Sequence, residues 1–115
     1  MASKKNDIVP RPTKKSEYTL KFATRSAQKG WVDLVATQRN VMVETWGFLT
    51  KTPDQVTNTN YKLKGELGNI TYQGRSYQRW QHQPTLKGSA RIWFIIEGKT
   101  VLLVDVFSAH TNQTK

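Results

Sequence analysis

The sequence predicts one α+β domain in which a helical hairpin packs on one face of a largely antiparallel sheet. Three observations lead to this expectation. Two stretches with helical spacing of apolar residues are followed by three stretches with the period of two that strands show. Helices first and strands afterwards is the order typical of such an α+β domain. The length of 115 residues suits a single domain with a modest core.

The N-terminal part is predicted to contain a basic tail, a strand and a helix. Residues 1–16 combine several Lys and Arg with two prolines and are expected to be flexible, so the domain proper covers residues 17–115. Residues 18–23 alternate between apolar and polar and predict the first strand. Ser26 is the expected N-cap of the first helix, and Gly30 weakens this helix without excluding it. The apolar positions of the helix are Ala27, Trp31, Leu34 and Val35.

A second helix and a β-meander are predicted next. Asn40 is the expected cap of the second helix, and Thr52-Pro53 is its stop signal. Residues 52–60 have the composition of a loop. Strands are expected at residues 76–83, 90–97 and 100–107. In the middle strand the apolar face, which should pack on the helices, consists of Ala90, Ile92, Phe94 and Ile96, and the opposite face of Arg91, Trp93, Ile95 and Glu97.

Charge and composition limit the classes of function. Lys and Arg number 18 against 8 Asp and Glu, a net charge of +10, which favours a polyanionic partner. There is no cysteine, and hence no disulfide, thiolate metal site or sulfur nucleophile. No stretch has the pattern of a signal peptide, a transmembrane helix or a basic amphipathic helix. We therefore expect a cytoplasmic protein with no membrane partner.

Three short segments resemble motifs of the RelE/ParE superfamily of bacterial toxins. They are the Leu-Lys-Gly element within residues 62–67, an Arg followed by alternating apolar residues at 90–94, and a His just after the last strand in 107–110. The resemblance covers about residues 18–113. It implies a RelE-like fold and a toxin that cuts messenger RNA in the ribosomal decoding site without a metal or another cofactor. It also implies a cognate antitoxin protein that covers the active face.

Metal-free RNA cleavage requires a base for the 2′-hydroxyl proton, an acid for the leaving 5′-oxygen and fixed cations for the phosphate. Arg91 is the predicted clamp of the transition state, because a guanidinium can grip two phosphate oxygens. The alternative for Arg91 is an ordinary strand residue paired with Glu97 or Asp105. His110 is the predicted proton shuttle, and the alternative is an incidental surface His.

Other residues could bind RNA or transfer protons. Lys62 and Lys64 should project to the same side of an extended segment and contact successive phosphates, unless they only form a solvated basic edge. Four residues in or just before the first meander strand are predicted to bind RNA: Arg75, Arg79, Trp80 and His82. Trp80 would stack on a base, and the alternative is that it packs in the core. His82 is a second candidate for the acid or base. Some family members carry an acidic base ahead of the Lys-Gly element. Here residues 58–61 are Asn, Thr, Asn and Tyr, which leaves Glu66, Tyr61 or a lysine for that role.

Three functions are compatible with these patterns. The first is a ribosome-dependent RNA endonuclease that inhibits translation. The second is a ParE-like toxin that binds and inhibits gyrase. The third is a non-catalytic RNA-binding protein, for which the basic tail and the Arg and Trp residues would suffice. The combination of Arg91 and His110 at the ends of neighbouring strands favours the endonuclease.

Overall fold

A computed structural model describes residues 6–108. Five of the strands within this range form one sheet in the order β1-β7-β6-β5-β2, and β3 and β4 form a separate hairpin. The pairing of β1 with β7 is parallel, and the other pairings in the large sheet are antiparallel. The predicted α+β class and mostly antiparallel sheet are confirmed. The elements are β1 (Thr19–Phe22), α1 (Arg25–Thr37), α2 (Arg39–Lys51), β2 (Asn60–Lys62), the short 3-10 helix η1 (Gly65–Gly68), β3 (Asn69–Tyr72), β4 (Arg75–Gln78), β5 (Trp80–His82), β6 (Arg91–Glu97) and β7 (Thr100–Phe107).

The two helices begin earlier than the sequence predicts. Thr24, and not Ser26, caps α1: its hydroxyl oxygen accepts a hydrogen bond from the backbone N–H of Ala27 (3.0 Å) and donates one to the Val104 carbonyl (2.8 Å). This second bond selects Thr24 as the cap, because it ties the start of α1 to the sheet. The N-cap position of α2 is Gln38, and the predicted cap Asn40 lies inside the helix. Neither helix is long and apolar enough to cross a membrane.

Both helices pack on one face of the sheet, as predicted. The alternating apolar residues of β6 face them, and so does every second residue in the first half of β7. The buried residues of this core are Ala27, Leu34, Met42, Leu49, Trp80, Ala90, Ile92, Phe94, Val101, Leu103 and Val106.

A second, smaller core lies on the opposite, helix-free face. Ile95, Leu102 and Val104 are buried there beneath Ile70, Tyr72 and Tyr77 of the β3–β4 hairpin. The hairpin turns at Gln73 and Gly74, both with positive φ (50° and 82°), which is typical of a tight two-residue turn. It covers only the half of the face next to the β6–β7 turn. We call the uncovered half the open half.

The predicted continuous strand over residues 76–83 is wrong. The chain leaves the hairpin after Gln78 and enters the large sheet at Trp80, so Arg79 joins two different sheets. Its backbone is held on both sides: the Arg79 N–H donates to the Gly68 carbonyl (2.8 Å), and its carbonyl accepts from the Leu63 N–H (3.0 Å). The alternation is interrupted here, because Tyr77 and Trp80 are separated by two consecutive polar residues, but this interruption does not reveal that the chain changes sheets.

A bulge changes the register of β6 and β7. Trp93 lies opposite Asp105, whereas Phe94 lies opposite Leu103, so Val104 is the additional residue on β7. As a result Val106 rejoins the helix-facing core, and Asp105 shares the helix-free face with Trp93.

Gly30 marks the point of closest approach between α1 and β7. A Cβ atom there would collide with the Val106 carbonyl oxygen and lie 2.9 Å from Val106 Cβ, whereas a Cβ on Gly47 of α2 would meet nothing within 4 Å. We therefore expect Gly30→Ala to lower the free energy of unfolding by about 1–3 kcal/mol. Gly47→Ala should raise it by about 0.5–1 kcal/mol through helix propensity. Urea unfolding of both variants measures these changes, and equal effects would contradict the close approach at Gly30.

Candidate functional site

A row of polar and aromatic side chains crosses the open half of the helix-free face. In the register of the sheet, Tyr61 of β2 is opposite Gln81 of β5, which is opposite Trp93 of β6, which is opposite Asp105 of β7. Residues directly opposite on neighbouring strands lie on the same face. We call these four residues, together with Arg79 and Arg91, the open-half cluster.

Hydrogen bonds order the row. The Trp93 indole N–H donates to Gln81 Oε1 (2.8 Å), and Gln81 Nε2 donates to the Tyr61 hydroxyl oxygen (2.7 Å). An indole N–H can only donate, so the orientation of the Gln81 amide is determined. Gln83 Nε2 donates to the same hydroxyl (2.6 Å). The Tyr61 oxygen thus accepts two amide hydrogen bonds, and its own O–H is left to donate to a further group.

The Arg79 guanidinium is positioned by the Trp93 ring and forms no ion pair with a carboxylate of the described residues. Its guanidinium carbon lies 4.9 Å from the centre of the Trp93 ring, a cation–π contact. Its Nε is buried and has no hydrogen-bond partner among the described residues. Burial raises the pKa of Asp105, and the positive charge of Arg79 opposes that rise. In the part of the chain that the structure describes, no carboxylate forms an ion pair with Arg79. Buried polar groups in folded proteins are usually hydrogen-bonded, so the unpartnered Nε of Arg79 is an exception.

Arg91 lies at the start of β6, on the face opposite the helices as predicted. One terminal nitrogen of its guanidinium donates to the carbonyls of Gly88 (2.9 Å) and Ala90 (2.8 Å). Those bonds hold the group, and the three other N–H donors of an arginine remain for a ligand. The ion pair with Glu97 or Asp105 that was the structural alternative is not formed. Arg91 is directly opposite Phe107 on β7. The Phe107 ring packs edge-on against the Trp93 ring, with 5.0 Å between the two ring centres.

Trp80 and His82, which the sequence analysis named as RNA-binding candidates, lie in the core and apart from the open-half cluster, so Trp80 follows the core-packing alternative. Trp80 is 6% exposed and stacks on Phe94, and His82 is 5% exposed and stacks on Phe48. The Nδ1 of His82 is hydrogen-bonded to Asn60 Oδ1 (3.1 Å), and burial lowers its pKa to about 4. Strand periodicity explains the placement, because residues 80 and 82 face the helices while 79, 81 and 83 face away.

The remaining predicted residues lie apart from the open-half cluster or outside residues 6–108, which the structure describes. Lys62 is opposite Trp80, and its ammonium nitrogen lies 5.6 Å from the centre of the Trp80 ring. Lys62 and Trp80 are therefore on the opposite face of the sheet from Tyr61. Lys64 is exposed just before η1, and Arg75 is exposed on the β3–β4 hairpin. His110 lies outside the described residues, so its role stays a prediction. Of the predicted site residues, Arg79 and Arg91 lie on the same helix-free face, Arg79 over Trp93 and Arg91 two residues before Trp93 on β6.

Sequence reasoning named Tyr61 only as one alternative, and it missed Gln83 and Trp93 as site residues. A signal for Gln83 is the alternation in residues 79–83 of the polar side chains of Arg, Gln and Gln with Trp and His. The signal for Trp93 is its position two residues after Arg91, on the same predicted face of the strand. Asp105 had no such signal, because the bulge at Val104 determines its face. Among the described residues, no three His, Asp or Glu side chains are grouped as a metal site requires.

Comparison with models of known protein families and with curated proteins finds no match for this chain.

The burial of His82 makes stability depend on pH. The pKa of His82 is about 4 in the folded state against an ordinary 6.5. The unfolded chain therefore takes up more protons between these values, and the free energy of unfolding falls as the pH falls through this window. We expect a loss of about 2 kcal/mol between pH 7.5 and pH 5.

Urea unfolding at the two pH values, with His82→Gln as the control, measures this loss. Glutamine keeps a donor for Asn60 and does not titrate, so that variant should lack this part of the pH dependence. An identical pH dependence in the two proteins would show that His82 is not the titrating group.

Proposed function

We propose that this chain is a RelE-like RNA endonuclease that needs no metal, the toxin of a toxin–antitoxin pair that cuts messenger RNA on the ribosome. The observation that carries the proposal is the placement of two guanidinium groups, those of Arg79 and Arg91, on the same face of the sheet as the hydrogen-bonded Tyr61. Neither arginine is neutralised by a carboxylate within the described residues. The net charge of +10 and the three segments that resemble RelE/ParE motifs support the same reading.

The proposed reaction is a transfer within the RNA. The 2′-oxygen attacks the adjacent phosphorus and the bond from phosphorus to the 5′-oxygen breaks, which leaves a 2′,3′-cyclic phosphate and a 5′-hydroxyl. Arg91 and Arg79 stabilise the additional negative charge on the phosphate in the transition state. Asp105 is the proposed acceptor of the 2′-hydroxyl proton, because a carboxyl group whose pKa is raised by burial is a stronger base than an ordinary one.

Tyr61 is the proposed donor to the leaving 5′-oxygen. Its hydroxyl oxygen is held by Gln81 and Gln83, and its remaining hydrogen is not used by either amide. The role of the acidic base that some members of the family carry ahead of the Lys-Gly element falls to Asp105 in this proposal, and not to Tyr61. His110 remains a second candidate for proton transfer from the sequence resemblance.

Primer extension on messenger RNA after brief induction tests the endonuclease. Wild type should give discrete cuts within translated codons, and Arg91→Ala should lower the cleavage rate by about 10²–10³-fold. The control is Arg25→Ala, which removes an exposed arginine of α1 that is not part of the cluster. Cleavage of RNA by the purified protein without ribosomes would support the endonuclease and show that it does not need the ribosome. Growth arrest without cuts would reject the proposal in favour of gyrase inhibition or RNA binding alone.

A sulfur-substituted substrate tests the role of Tyr61. Tyr61→Phe should lower the rate on ordinary RNA by about 10²–10⁴-fold, the usual contribution of a general acid. When the bridging 5′-oxygen is replaced by sulfur, the leaving group is a thiolate that needs no proton, so the two proteins should cleave at rates within about tenfold. Tyr72→Phe, on the β3–β4 hairpin, is the matched control. An equal defect on both substrates would assign Tyr61 a structural role.

A further inference from the structure

A second basic feature lies at the other end of the β6–β7 hairpin from Arg91. A crevice of about 450 Å³ opens between the N-terminal segment, the last turn of α2 and the β6–β7 turn. Four cationic side chains line it, together with one carboxylate, that of Glu17. The cations are Arg11, Lys14, Lys51 and Lys99. The proposed endonuclease site uses none of them.

Glu17 is engaged inside the protein. Its carboxylate accepts hydrogen bonds from the Lys14 backbone N–H (3.2 Å) and from the Arg11 guanidinium (3.4 Å), and only 9% of its side chain is exposed. The pKa of Glu17 is lowered by the Lys14 N–H and by the positive charges of Arg11 and Lys51, although burial opposes this. Arg11 and Glu17 form an ion pair with each other. The ammonium groups of Lys14, Lys51 and Lys99 form none with a carboxylate of the described residues.

The walls of the crevice are held in place by contacts with the domain. The Tyr18 N–H donates to the Thr50 carbonyl (2.7 Å), which ties the N-terminal segment to α2. The Lys99 ammonium donates to the Ser16 carbonyl (3.3 Å) and lies 4.3 Å over the Tyr18 ring. Arg11 lies 4.7 Å over the Trp46 ring. Residues expected to be a flexible tail thus build one wall of a defined basic crevice.

We propose that this crevice binds backbone phosphates of RNA, as a second grip separate from the open-half cluster. β6 runs from Arg91 to the turn that carries Lys99, a distance of about 20 Å at the rise of a strand. Lysine ammonium groups bind phosphate as point charges without reading the bases, so the grip adds affinity and not sequence preference. The choice of RNA as the polyanion rests on the proposed function. The phosphates belong either to the message or to ribosomal RNA.

The test is the salt dependence of binding to a 2′-O-methyl RNA oligonucleotide, which cannot be cleaved by 2′-oxygen attack. Lys14→Gln/Lys51→Gln should weaken binding about tenfold near 0.1 M salt. It should also reduce the slope of log K against log salt concentration by about 1.4, which is two phosphate contacts on a single strand. The control is Arg25→Gln/Lys29→Gln, which removes the same charge from the exposed side of α1 and should change the slope little.

Co-sedimentation with purified ribosomes forms the second arm. If Lys14→Gln/Lys51→Gln lowers the affinity for the oligonucleotide, the crevice binds phosphates of the message. If it lowers the affinity for ribosomes alone, the crevice binds phosphates of ribosomal RNA. Either outcome supports the proposal. Unchanged slopes in both arms, or equal changes in the control, would overturn it. Wild-type protein that cleaves no RNA but shows the Lys14- and Lys51-dependent slope would reject the endonuclease and keep the crevice.

Discussion

The burial of β7 on both faces is the constraint on which the rest of this structure depends. The run Val101–Val104 is buried throughout, so β7 has no side that water reaches in its first half. A strand in that position needs a cover on each side. The helices supply one and the β3–β4 hairpin the other. The neighbouring strands β1 and β6 then satisfy the backbone groups of β7 along both edges.

The open half is a direct consequence of how short that second cover is. The hairpin has four residues in each strand and packs on Ile95, Leu102 and Val104 at the turn end of the sheet. Beyond it, the helix-free face carries Tyr61, Gln81 and Trp93, whose polar atoms bond to one another in a chain. Hydrogen bonds of this kind restrict the rotamers of side chains that would otherwise be free on a solvent-facing sheet. The site is therefore organised before any ligand binds.

The distribution of positive charge follows the same architecture. Two acidic groups near the sheet are engaged locally: Glu97 accepts from the Tyr77 hydroxyl (2.8 Å) and Glu17 from Arg11 and Lys14. Arg79 and Arg91 on the open half, and Lys14, Lys51 and Lys99 near the β6–β7 turn, form no ion pair with a carboxylate of the described residues. Two separate basic regions suit a long polyanion better than a small anion, because a long chain can contact both.

Local sequence patterns were enough to predict the α+β class, both helices within a few residues, the last two strands and the face on which Arg91 lies. Each of these depends on local periodicity or a local stop signal, such as the alternation through Ala90, Ile92 and Phe94 or the proline after α2. The packing of the whole fold was needed to establish the cap at Thr24, the change of sheet at Arg79, the bulge at Val104 and the burial of Trp80 and His82. These features arise from contacts between residues far apart in the chain: Thr24 bonds to Val104, Arg79 to Gly68, and His82 to Asn60. A period of two assigns residues to two faces, but it does not say which face becomes the core, and that choice depends on where the helices and the hairpin pack.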